Sequence, residues 1–208
     1  LVPRPGEGRG IPWVESVIRR PVRTLDDWLE GFDRELDEAV ASGIAGLKCA
    51  LAYERSLAFA SVPLAEARDA FAGAVASWER SGRAPLAATP LPLPAQDYVM
   101  HHQLRRHAER GLAYQFHTGL QEGNGNLLSN SDPMLLNPLF LAHPGVRFDL
   151  FHVGWPFTEV ATALCKNFPG VTVDMCWAHI ISPVAARRAL SGFLDALPFT
   201  KISAFGGD

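Results

Sequence analysis

The chain alternates between stretches in which apolar residues recur every three or four positions and short unbroken apolar runs. After Thr24, a residue suited to capping a helix, Leu25, Trp28, Leu29, Phe32, Leu36, Ala39 and Val40 share one face with acidic residues between them, and Gly43 closes the segment. The same period predicts helices over residues 64–80, 96–110, 133–142, 157–167 and 183–197. Asp132-Pro133 and Ser182-Pro183 pair a cap with a proline suited to the first helical turn. Apolar runs over 44–52, 113–117, 146–153, 171–175 and 201–205 read as buried strands. Residues 1–24 read as an irregular lead-in, and 81–94 and 120–131 as loops.

Strands that alternate with helices, and later strands that start about 25 to 35 residues apart, predict a parallel sheet of βαβ units. That pattern suits an open doubly wound sheet or a closed (β/α)₈ barrel equally. No GxGxxG follows a strand, so the dinucleotide-binding fingerprint is missing.

Bulk composition narrows the function. The 208 residues are 48% hydrophobic and 20% charged, as in a folded globular domain. A net charge of -3 and no run of Lys or Arg speak against a nucleic-acid partner. No apolar stretch reaches the roughly 18 residues of a membrane span. The first ten residues are polar and rich in Pro and Gly, unlike a secretory signal. Cys49, Cys165 and Cys176 form no CxxC, so they read as small buried hydrophobes in a reducing, cytoplasmic setting. The chain opens without Met and stops at Gly206-Gly207-Asp208 straight after a strand, so it reads as a piece of a longer protein.

The candidate chemistry gathers at strand C-termini, where the loops of parallel α/β folds build active sites. His117 closes one strand, His152 nearly closes the next, and Asp174 and Asp208 follow the last two. Lys48 lies inside the first strand, on the face shared with Gly46 and Ala50. Imidazole and carboxylate together suit zinc or a similar divalent ion. Tyr53 and Arg55 follow the first strand and suit a substrate carboxylate. Trp155, Trp177 and His179 follow later strands, on the same side. Asp174 alternatively bonds within its own loop. His101, His102 and His107 read as solvated on their helix.

Four segments, in order, carry a resemblance: Gly46 to Tyr53 (GLKCALAY), Gln115 to Gly119 (QFHTG), Phe151 to Pro156 (FHVGWP) and Lys201 to Asp208 (KISAFGGD). Together they resemble the amidohydrolase-related (amidohydrolase-2) TIM-barrel metal-dependent hydrolases, above all the amidohydrolase-like domains fused to glutamine-synthetase-like proteins, and more distantly the uronate isomerases. The resemblance implies that residues 44–208 are strands four to eight of an eight-stranded barrel, within a single partial domain of residues 1–208. It also implies metal ligands: His117 on strand five, His152 on strand six, Asp208 on strand eight, and Lys48 on strand four as a carboxylated bridge. The family's His-x-His pair on strand one has no counterpart, since no His precedes His101.

The activity implied is hydrolysis of a C–N or C–O bond in a small molecule, such as an amide or lactone. The divalent metal would be zinc or else manganese. Asp208 would serve as proton acceptor and donor, and His152 would orient or polarise a carbonyl. Tyr53, Arg55, Trp177 and His179 would contact substrate. Homo-oligomers would suit the family. A decarboxylase-like lyase, a uronate-isomerase-like enzyme, and a catalytically degenerate barrel with a regulatory role remain alternatives.

Overall fold

A computed structural model describes residues 10–82, 91–206 and 208. Residues 83–90, most of the expected loop over 81–94, lie outside the described residues. The chain forms two compact units, one of residues up to Ala45 with Ala60–Arg106, the other of Gly46–Phe59 with His107–Asp208.

The first unit is helical. It holds α1 (Ile11–Ile18), α2 (Leu25–Ala41), α3 (Leu64–Arg80) and most of α4 (Leu93–Arg110). Its core is built from Ile11, Val14, Trp28, Phe71, Trp78 and Val99, whose spacing puts each on the inner stripe of its helix. The Trp28 and Phe71 rings meet edge to face, with centroids 5.9 Å apart. Helix α1 corrects the expected irregular lead-in. Pro12 sits in the first turn, where no amide hydrogen is needed, and Ile11, Val14 and Ile18 are buried. Gly31 is required where α1 meets α2, because a Cβ there would lie 2.4 Å from Val14.

The second unit is α/β. A five-stranded sheet runs in chain order through β1 (Gly46–Cys49), β2 (Ala113–His117), β3 (Arg147–Phe151), β4 (Val171–Asp174) and β5 (Ile202–Ser203). Every neighbouring pair is parallel. The connections carry α5 (Asn137–Ala142), α6 (Thr158–Asn167), α7 (Ala178–Ile181) and α8 (Pro183–Ala196). The strands are shorter than their apolar runs, because 3₁₀ turns at Leu51–Tyr53 and His152–Gly154 take the C-terminal ends.

Alternation splits the sheet into two unlike faces. Tyr114, Phe116, Phe148, Leu150, Val171 and Val173 form the apolar face and are all buried. The other face is polar. Lys48, Gln115, Asp149 and Thr172 are neighbours across four strands. The Gln115 amide donates to Asp149 at 3.1 Å, and the Thr172 hydroxyl donates to the same carboxylate at 2.9 Å. This row lies one pleat below His117, whose partner on β3 is Phe151.

Candidate metal centre

The polar face ends in a cluster of titratable groups at the C-terminal edge of the sheet. His117 is the last residue of β2 and is 3% exposed. His152 is the first residue after β3, is 1% exposed, and takes a left-handed backbone with φ 66°. That unusual conformation turns the chain at the strand end, and Val153 at φ 52° continues the turn.

The hydrogen bonds fix both imidazole tautomers. His152 Nδ1 lies 2.8 Å from the Cys176 carbonyl, and His117 Nε2 lies 3.1 Å from the Leu120 carbonyl. A carbonyl oxygen only accepts, so both of these nitrogens carry the hydrogen. A neutral imidazole has one N–H. The remaining nitrogens, His152 Nε2 and His117 Nδ1, face each other at 3.1 Å; with both rings neutral each presents a lone pair, and with one ring protonated it donates to the other. Such a pair of nitrogens is matched by one positive centre, a proton or a metal ion.

The proton is disfavoured on His152. Burial drives the His152 pKa down to about 4, the bond to the Cys176 carbonyl opposes this, and the nearby Lys48 charge adds to it. A metal ion fits better, because ligating histidines ordinarily spend their other N–H on a carbonyl or carboxylate, as both rings do here. The charge distribution agrees. Asp208 Oδ2 lies 3.8 Å from His152 Nε2, and the Lys48 ammonium is paired with the other Asp208 oxygen. One ring nitrogen of His152, Sγ of Cys176 and a carboxylate oxygen of Asp208 lie within 4.8 Å of one another.

The surrounding residues hold this arrangement. Gly119, at φ 76°, lets the loop after β2 pass the chain at Trp155, where a Cβ would lie 2.3 Å from a carbonyl oxygen. The next amide, Leu120, donates to that carbonyl at 2.6 Å, and Leu120 in turn supplies the acceptor for His117. The Thr118 hydroxyl donates to the Phe151 carbonyl at 2.7 Å. Asp174 accepts from the Cys176 amide, so it bonds within its own loop, the second of its two expected roles. Burial pushes the Asp174 carboxyl pKa up, against the Cys176 amide and the Lys48 charge.

Other expected site residues fall at graded distances. Lys48, a pleat below His117, reaches up to Asp208 with its Nζ 4.4 Å from the centre of the Phe151 ring. The Tyr53 ring packs 4.8 Å from the His117 ring, and its hydroxyl accepts from the Glu122 amide at 3.0 Å. The Trp177 ring is 6.3 Å from that of His152. Arg55 turns into its own loop, donating to the carbonyls of Ser56 at 3.0 Å and Ala58 at 2.9 Å, with its guanidinium over Phe59. His179 is exposed, bonds the Ala204 carbonyl at 3.2 Å and stacks on Phe205.

Two expectations need amendment. Cys176 is buried as a small hydrophobe should be, yet it also borders the cluster, which its apolar sequence neighbours conceal. His107 is fully buried rather than solvated, its ring edge-on to Tyr114 at 4.9 Å. His102 is half-buried and bonds Asp33 at 2.9 Å. A groove of about 590 Å³ in the second unit is lined by Trp155, Pro156, Ser182 and residues of α6 and α8, and by none of the cluster.

Three comparisons with known proteins follow this geometry. The crystal structure of a "putative metal-dependent hydrolase" from Lactobacillus casei ATCC 334 superposes with a TM-score of 0.71 at 21% identity, over 94% of this chain and 55% of that one. Protein fluG of Emericella nidulans is 34% identical over 89 residues, which is 42% of this chain and 10% of fluG. The chain thus spans about half the length of the solved structure and a tenth of fluG. The family model described as amidohydrolase matches residues 16–203. With nearly its whole length inside that match, the chain belongs to the amidohydrolase family.

Proposed function

We propose that the chain is a metal-dependent hydrolase acting on a C–N or C–O bond of a small molecule, such as an amide or lactone. In this reading β1–β5 are the last five strands of a (β/α)₈ barrel, within one partial barrel domain. The parallel order of the sheet and the span of about half the Lactobacillus casei chain support it. That relative's name as a metal-dependent hydrolase supports the activity.

The convergence of the His117 and His152 ring nitrogens, beside the Asp208 carboxylate, carries the metal reading. His117, His152 and Asp208 would hold a divalent cation, zinc before manganese, since two imidazoles and a carboxylate suit a borderline ion. Such a cation lowers the pKa of water and polarises a carbonyl oxygen. Asp208 then accepts a proton from the attacking water and returns it to the leaving nitrogen or oxygen. His152 orients the carbonyl, held in place by its Nδ1–H bond to Cys176. Lys48, released from Asp208, offsets negative charge that develops beside it. Tyr53, against His117, and Trp177, near His152, line the substrate position.

The test is turnover of a panel of aryl amides and lactones by the full chain with added zinc. Asp208→Asn should lower the rate at least about 100-fold, the usual weight of a general acid–base group, with an unchanged circular dichroism spectrum. Equal rates would sink the role of Asp208. Carbon dioxide release from aryl acids, or aldose–ketose exchange of uronates, would move the reaction class while keeping the cation.

A further inference from the structure

The His117 ring takes its orientation from one peptide unit. The Leu120 carbonyl accepts the Nε2–H of His117 at 3.1 Å, and Nδ1 is thereby turned toward His152. A peptide unit is planar, so its carbonyl points where its two ends allow. The leading end is pinned by the Leu120 amide, which donates to the Trp155 carbonyl at 2.6 Å. The trailing end belongs to Gln121. Its side-chain amide donates to the Ala52 carbonyl at 2.6 Å, within the 3₁₀ turn that follows β1. The Glu122 amide then donates to the Tyr53 hydroxyl at 3.0 Å, and the Tyr53 ring packs on His117. Three consecutive residues thus tie the loop after β2 to the turn after β1 and to the imidazole between them.

The side chain of Gln121 is the middle tie. It is 3% exposed, and its Oε1 meets no hydrogen-bond partner among the described residues. A buried acceptor left unmet is costly, and an apolar side chain of the same length would avoid that cost. Only the bond to Ala52 sets the amide apart from such a side chain. Glu122 to Gly125 are exposed, so Gln121 is also the last buried anchor before the loop leaves the surface.

We propose that Gln121 is a positioning residue of the site: by anchoring the loop after β2 to the turn after β1, it sets the tautomer of His117 and presents Nδ1 to a cation. It acts through the Leu120 carbonyl, as an outer partner that orients a ligand. The cation clause rests on the metal reading of the preceding section, whereas the tautomer clause stands on the hydrogen bonds alone.

The test is Gln121→Met in the full chain, which keeps the length and removes both donor and acceptor. The Ala52 carbonyl then goes unmet in place of Oε1, so the melting temperature should stay within about 4 °C. Long-range proton–nitrogen NMR of the cation-free protein at neutral pH reads which His117 nitrogen carries the hydrogen. The unaltered chain should show the Nε2–H form, and the variant a mixture with the Nδ1–H form. Cobalt(II), added alone, should bind the variant at least about tenfold more weakly. Gln121→Asn, one methylene too short for Ala52, should behave the same way. An unchanged tautomer in both variants would overturn the proposal, and so would loss of the fold in both, which would make Gln121 a structural residue. A shifted tautomer with unchanged cobalt affinity would overturn the cation clause. An unaltered chain that does not bind cobalt would overturn the metal reading, and the tautomer would still decide the role of Gln121.

Discussion

An imidazole in water titrates near 6.5, whereas burial brings His152 to about 4. The sign of the consequence follows from proton counting. As pH falls from about 6.5 to about 4, the unfolded chain takes up a proton that the folded, cation-free chain refuses. Stability from this group is complete above that window and declines through it, by about 3 kcal/mol in all. Urea unfolding of the cation-free protein at neutral pH and at about pH 5 should show the drop, and His152→Gln should flatten it. An equal pH slope in the variant would mean that some other group is responsible. Which residues could be read in advance also divides at this scale. A strand-ending His or a terminal Asp is visible in a sequence. The tautomers of His117 and His152 are not, because they depend on carbonyls three and twenty-four residues away.

Helix α2 begins where local chemistry says it should. The Thr24 hydroxyl accepts from the Asp27 amide at 3.1 Å, and the Asp27 carboxylate accepts from the Thr24 amide at 2.9 Å, a reciprocal capping box. Burial pushes the Asp27 carboxyl up, but Arg20 and the Arg23 and Thr24 donors outweigh it and hold the pKa at about 2. Thr24→Ala should cost about 1 kcal/mol, read as a lower urea midpoint by far-ultraviolet circular dichroism. The loss should shrink in acid, as Asp27 protonates between its ordinary value of 3.8 and about 2 and its half of the box disappears. An unchanged midpoint in the variant would show that tertiary packing alone sets the helix start. Elements with such local signals were legible: α2, α3, α8 and all five strands appear within a few residues of expectation. Helix α1 was masked by its proline, and the solvated reading of His107 failed because a helix face is chosen by its neighbour, here Tyr114.

At the scale of the whole molecule, cation binding should register as folding stability, because the cluster exists only when β2, β3, β4 and the segment after β5 are assembled. Zinc at a hundredfold excess over its dissociation constant adds about 2.7 kcal/mol. For a chain of this size that is a rise of about 5–10 °C in the melting temperature. EDTA should reverse the rise, and His117→Ala should abolish most of it. No helix among the described residues is long and apolar enough to cross a membrane.

The sequence determined what depends on neighbours along the chain. Period fixed the helices, apolar runs fixed the strands, and strand–helix alternation implied a parallel sheet, since short-range sterics and one-sided burial act over a few residues. Tertiary structure decided everything that needed two distant segments at once. It set the pleat on which Lys48 meets Gln115 and the reach of that amine to Asp208. It also set the facing of His117 and His152 and the placement of Cys176 beside them. Side-chain proximity across strands is a property of register and backbone direction, and neither is written in any local window.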